Sequence, residues 1–190
     1  MSVVVAVREN GVVHMAADTQ TTGGNYMRHY LNDVGFKIKR LDNGILLGLC
    51  GSVRIEQVIA YTKDLFTLDK DGKLTKEHLM NEVICELYDR LGERGLLKGD
   101  GRMDASFLVA YGDTLYQVRG DFHVIKRTDY AAIGSGLDRA LYALSERKDL
   151  PVRERMLMGV SMSADKVASV SGPFVFIDTQ RQEFDVIKGV

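Results

Sequence analysis

Five apolar residues in succession, Val3-Val4-Val5-Ala6-Val7, constrain this chain more than any other feature. Side chains alternate sides along a strand, so a strand with one wet face alternates apolar and polar residues. An unbroken run demands cover on both faces and therefore a layered molecule. Glu9-Asn10-Gly11 follows as a tight turn, with glycine free to take positive φ, and Val12 to Ala17 returns as the second strand of a hairpin.

The remaining elements fall in blocks. Residues 19–26 are polar and glycine-rich and read as a loop. Lys37 to Arg40 and Ile45 to Cys50 form a hairpin around Asp42-Asn43-Gly44. Ser52 is placed to cap a helix whose apolar face is Ile55, Val58, Ile59, Tyr61 and Leu65. Thr75 opens a second helix, with Leu79, Val83, Leu87 and Leu91 at helical spacing up to Gly92. Strands are predicted over Ser106 to Tyr111, Leu115 to Arg119, Phe122 to Ile125 and Ala131 to Ile133. Helices follow over 136–146 and 151–166, then strands over Phe174 to Ile177 and Phe184 to Ile187. Long blocks of one type predict α+β rather than alternating βαβ units. A four-layer α-β-β-α sandwich, two sheets face to face with a helix pair outside each, uses every block. No repeat or linker divides residues 1–190, which read as one domain.

Bulk properties exclude several roles. The 25 Lys and Arg nearly balance the 26 Asp and Glu, and the net charge of −1 gives no support for a nucleic-acid partner. No apolar window approaches the roughly 18 residues of a membrane span. The start MSVVVAVREN lacks the basic region of a signal peptide, so a cytoplasmic location is expected. Cys50 and Cys85 sit in apolar stretches and are expected to be buried free thiols. The four histidines have no metal-ligand spacing, and Asp69-x-Asp71-Gly72 is too short a fragment for a calcium loop. No metal and no cofactor is expected.

The chemistry-bearing pattern begins at Ser2. Methionine aminopeptidase removes Met1 before a residue this small, which frees an α-amine with a reference pKa of roughly 7.7–8.0. A hydroxyl and a base on one residue make a self-contained acyl-transfer device. Asp18 ends the second strand, where its carboxylate emerges beside the first. Lys37 stands between apolar strand residues, where a lysine needs a partner. An Asp18–Lys37 pair beside Ser2 favours a neutral amine.

With these residues in view, SVVVAVRENGVVHMAADTQTT and FKIKRLDNGILLGLCGS resemble the N-terminal third of proteasome β subunits and bacterial HslV peptidase. Ala132-Ile133-Gly134-Ser135-Gly136 resembles the family motif before the third helix, and the resemblance covers essentially the whole chain. It implies an N-terminal-nucleophile (Ntn) hydrolase fold and cleavage of peptide bonds. Ser2 matches the nucleophile, Asp18 and Lys37 the charged pair, and Gly51 the oxyanion-binding glycine. Ser135 matches the serine near the α-amine, although a helix cap is an equal reading of it. Asp165, with Ser169 or Ser171, matches the family's Asp-and-Ser group, across a longer gap than in proteasome subunits. Thr21, Leu49 and Val53 match the first substrate pocket, which implies an apolar side chain before the scissile bond; at Leu49 and Val53 plain core packing is the alternative. The family nucleophile is usually Thr, and Ser lacks the methyl that restricts χ1.

The resemblance also implies a homo-oligomeric ring enclosing its sites, with the apolar faces of helices 52–66 and 76–91 as ring contacts. An ATP-driven AAA+ unfoldase or cap would deliver unfolded protein, since this chain has no GxxxxGK[ST] loop. Two alternatives stand beside the peptidase. One is a non-catalytic ring subunit that keeps Met1. The other is a small-molecule amidase or acylase of the same class.

Overall fold

The computed structural model describes residues 2–23, 26–29 and 37–187. Strand β1 (Val3–Glu9) lies inside a five-stranded antiparallel sheet ordered β10-β1-β2-β11-β12, with β2 (Val12–Asp18), β10 (Tyr130–Gly134), β11 (Phe174–Asp178) and β12 (Asp185–Ile187). Val3, Val5 and Val7 pack toward helices α4 (Leu137–Glu146) and α5 (Val152–Ala164). Val4 and Ala6 pack toward a second sheet. Cover on both faces is why the run tolerates no polar residue.

The second sheet is ordered β5-β6-β7-β8-β9, again antiparallel, from β5 (Ile38–Arg40), β6 (Leu46–Gly51), β7 (Ala105–Tyr111), β8 (Thr114–Val118) and β9 (Val124–Arg127). Leu46, Cys50, Leu108 and Ala110 face the first sheet. Leu47, Leu49, Phe107 and Val109 face outward, under α1 (Val53–Tyr61) and a segment of α2 (Lys76–His78), a π-helical stretch (Leu79–Ile84) and α3 (Cys85–Glu93). At Gly48 the two sheets approach closely, and a Cβ there would stand 2.7 Å from a Val4 methyl. The layers are therefore helix, sheet, sheet, helix.

Four local expectations change. Residues Gln20–Gly23 and Tyr26–His29 are β3 and β4, a two-stranded ribbon, where the sequence reads as loop; Thr and Tyr favour extended backbone despite the glycines. Helix α1 ends at Tyr61, and Leu65 reaches the core from the turn beyond. Ser52 makes no side-chain cap bond, whereas Thr75 accepts from the His78 N–H at 3.3 Å. Cys85 is a free thiol on the exposed side of α3, because Ile84 and Leu87 take the inward positions; Cys50 is buried and free. No helix among the described residues is long and apolar enough to cross a membrane.

Candidate active site

Ser2 immediately precedes β1 and is 4% exposed. The β1–β2 register pairs Val4 with Ala17, so Asp18 arrives across from Val3. One Asp18 oxygen accepts from the Val3 N–H at 2.8 Å, and the other lies 2.6 Å from Lys37 Nζ. Lys37 also donates to the Gln20 carbonyl at 2.5 Å. Both charges are buried, and such a pair survives only when further hydrogen bonds complete it, as these do. Burial pushes the Asp18 carboxyl above its ordinary range, while the Lys37 ammonium and the Val3 and Gln20 N–H groups pull against that rise.

On the other side, β10 delivers Gly134 opposite Val3. A Cβ at Gly134, whose φ is +94°, would collide with the Ser2 carbonyl oxygen. The absent side chain lets the chain turn at Ser135 and meet Ser2. Ser135 Oγ accepts from the Ser2 N–H at 3.2 Å and stands 3.3 Å from the Ser2 carbonyl oxygen, to which the Gly136 N–H also donates at 3.2 Å. The cap position of α4 is Gly136, with no side-chain cap bond, so the helix-cap reading of Ser135 gives way to contact with Ser2. Ser169 Oγ lies 3.4 Å behind Ser135 Oγ, and buried Ser163 ties the Gly136 carbonyl to α5 at 2.9 Å.

Gly51 closes β6 at φ +142°, and a Cβ there would strike the Asp104 carbonyl, so only glycine fits. Its neighbour Cys50 packs against Gly134, with the sulfur 2.9 Å from where a Gly134 Cβ would stand. Lys37, Gly51 and the start of β1 thus share one end of the sandwich. Burial holds the Cys50 thiol far above its ordinary pKa, which keeps it protonated and a poor rival nucleophile. Gly51 and Ser135 are exposed, so the site opens to solvent on that side.

Other expected members sit differently. Asp165 is exposed at the C-terminal cap of α5, and among the described residues no hydrogen bond or ion pair joins it to Ser2, Ser135 or Ser169. Ser169 and Ser171 are now separable: Ser169 meets Ser135, and Ser171 donates to Gln20 Oε1 at 2.6 Å. Leu49 is 2% exposed and packs in the core beneath α1. Val53 is 50% exposed at the start of α1, and Thr21 is half-buried on β3.

Two site neighbours escape a reading by residue type. Gln20 is 1% exposed; its amide donates to Thr22 Oγ1 at 3.0 Å and the Ala168 carbonyl at 3.1 Å, linking the Asp18–Lys37 pair to the segment bearing Ser169. Its place two residues after Asp18, on the same side of an extended chain, is the one available signal. Glu56, in the first turn of α1, is partly buried; burial pushes its carboxyl above the ordinary range, and the Lys37 charge pulls against that rise. Among the described residues no group of three or more His, Cys, Asp or Glu is placed to hold a metal.

Two antiparallel five-stranded sheets between helix layers, with a small hydroxyl residue entering the central strand beside a buried Lys–Asp pair, define the Ntn-hydrolase class. No family model matches the chain. It is 33% identical over 145 residues to the ATP-dependent protease subunit HslV of Brevibacillus brevis, covering 74% of this chain and 73% of the relative. The HslV of Lysinibacillus sphaericus is 32% identical over 174 residues, covering 88% and 84%. Thiobacillus denitrificans BPH in complex with epoxomicin has the same fold, with TM-score 0.74 at 22% identity over 93% of this chain and 97% of that one. The chain belongs to the proteasome-β/HslV family of N-terminal-nucleophile peptidases.

Proposed function

We propose that the chain cleaves peptide bonds with Ser2 as nucleophile once Met1 has been removed. The observation that carries this reading is the Ser2 nitrogen, 3.2 Å from Ser135 Oγ, next to a residue whose N–H is held by the Lys37-paired Asp18. With Met1 gone, that nitrogen is an amine oriented by Ser135, and the nearby ammonium favours its neutral form. Ser2 Oγ then attacks the scissile carbonyl while the amine takes the hydroxyl proton, directly or through one water. The oxyanion gathers toward the Gly51 N–H, where no side chain intervenes. Collapse breaks the C–N bond, the proton passes to the leaving amine, and water hydrolyses the ester on Ser2. Lys37 acts by charge, Asp18 by holding Lys37, and Ser169 by orienting Ser135. Thr21 and Val53 border the substrate cleft. Asp165 has no part in these steps.

The same reading makes the working unit a homo-oligomeric ring of single-domain subunits in the cytoplasm, as suits free thiols. The relatives' description as subunits of an ATP-dependent protease supports an ATPase partner that feeds unfolded protein.

The deciding experiment is an intact mass spectrum before and after treatment with an epoxyketone such as epoxomicin. The expected result is a chain lacking Met1 with one adduct on Ser2, absent in Ser2→Ala. A chain that retains Met1, takes no adduct and cleaves no peptide marks a non-catalytic ring subunit instead.

A further inference from the structure

The backbone of Gln20 completes the buried ion pair. Its N–H donates to the Lys37-paired oxygen of Asp18 at 3.2 Å, and its carbonyl accepts from Lys37 Nζ at 2.5 Å. Its side chain binds the segment after α5 instead. The Ala168 carbonyl can only accept, so the amide nitrogen must face it, at 3.1 Å. The second amide proton goes to Thr22 Oγ1 at 3.0 Å, two residues along the same side of β3. The amide oxygen is then left for Ser171, whose hydroxyl donates to it at 2.6 Å. Ala168 and Ser171 flank Ser169 in the chain. One buried side chain therefore grips the segment on both sides of that serine.

We propose that Gln20 is a positioning residue for the proposed reaction: its amide fixes Ser169 behind Ser135 and, through Ser135, aims the Ser2 amine, with Ser171 as the donor that locks the amide in place. The inference rests on Ser2 as nucleophile and deepens that reading. The chain of contacts is short. Ser169 Oγ stands 3.4 Å from Ser135 Oγ, which stands 3.2 Å from the Ser2 nitrogen. Ser169 lies between α5 and β11, outside any helix or strand. Val170 beside it is buried in the core, and its N–H donates to the Val167 carbonyl, so the segment keeps its course without Gln20. What the amide adds is the final placement of Ser169. Such placement matters, because a shift of about 1 Å arising away from the chemistry can lower a rate about 100-fold. Since the same residue's backbone holds Lys37, the charge that keeps the amine neutral and the hydroxyls that aim it are set from one point. Thr21, which borders the cleft, points to the opposite side of β3 from Gln20 and Thr22. Loss of the latch therefore falls on kcat and leaves KM.

The test measures kcat and KM on one fluorogenic peptide with the processed full-length chain. Each rate is divided by the Ser2 sites titrated to completion with the epoxyketone, so that unfolded chains do not count. Gln20→Leu, of similar size, should lower kcat by about tenfold or more with KM within about twofold of wild type. Ser171→Ala removes one hydroxyl at a partly buried position and should lower kcat by about threefold. Ser169→Ala should lower kcat in the wild-type chain, and by less than about twofold further in Gln20→Leu, where Ser169 is already misplaced. A packing role for Gln20 predicts a lower urea midpoint with kcat per titrated site intact, and that result overturns the proposal. Losses in Gln20→Leu and Ser169→Ala that multiply in full also overturn it. Should Gln20→Leu not fold, full kcat in Ser171→Ala overturns it in the same way. If wild type cleaves the peptide and takes the adduct while these variants match it, only the positioning inference fails. If wild type takes no adduct and cleaves nothing, the nucleophile assignment falls and this inference with it.

Discussion

The Val3 N–H, Asp18, Lys37 and Gln20 form one hydrogen-bonded set, and removing a charged side chain from it leaves its partner buried and short of bonds. Lys37→Met should cost about 3–5 kcal/mol, because it strands the Asp18 carboxylate in a dry site. Adding Asp18→Asn should restore much of that stability in a urea melt, since an amide oxygen still accepts from the Val3 N–H. Peptidase activity should not return, because no positive charge remains beside the amine. Recovery of activity in the double variant would show that Lys37 serves packing alone. Gly51→Ala tests the other side of the site. At φ +142° its Cβ meets the Asp104 carbonyl, so the strand end must shift and carry the N–H with it. A loss of kcat of about 100-fold or more is expected, the usual effect of a lost oxyanion donor. Wild-type rates for that variant would move the oxyanion site elsewhere.

At the scale of elements, the pairing of β2 with β11 sets His14 opposite Asp178 at the rim of the first sheet. Their side chains stand 3.8 Å apart. Desolvation lowers the His14 pKa from 6.5, and attraction to Asp178 and Glu9 only partly offsets it. A base with a lowered folded pKa binds protons more weakly folded than unfolded. Its contribution to stability is therefore complete above about pH 6.5 and declines as pH falls through the folded value. His14→Gln should flatten the fall in melting temperature between pH 7 and 5. A steeper fall in the variant would mean that the charged form is favoured in the fold. The hairpins carry a different lesson. Asn10 and Gly11 both have positive φ, the turn that suits a right-twisted pair, so this hairpin is readable from three residues. The β3–β4 ribbon is not, because its short polar strands owe their shape to pairing with each other.

For the molecule as a whole, the helices chosen from sequence as ring contacts prove otherwise engaged. Ile55, Ile59, Leu79, Val83, Leu87 and Leu91 are all buried beneath the second sheet's outer face. Tyr61, Met80 and Tyr88 remain exposed on the same elements. Any ring contact there uses these larger amphipathic side chains and not the helical apolar stripes. Mass photometry of the processed protein should give a species many times the 21.2 kDa chain. Peptides should be cleaved by that species, and a folded protein should resist it without an ATPase. A monomer with full peptidase activity would refute the compartment.

The order of residues was enough to set the layers, because apolar periodicity records which side chains must leave water, and β1 records this on both faces. It also determined Ser2, Asp18, Lys37 and Gly51 as candidates, since a buried charge or a constrained glycine is conspicuous by type. Packing of the folded chain was needed to bring Ser135 to Ser2 and to set Ser169, and not Asp165, behind it. These contacts join residues whose spacing along the chain obeys no helical or strand period. Only the packed arrangement of sheets and helices sets the distances between them.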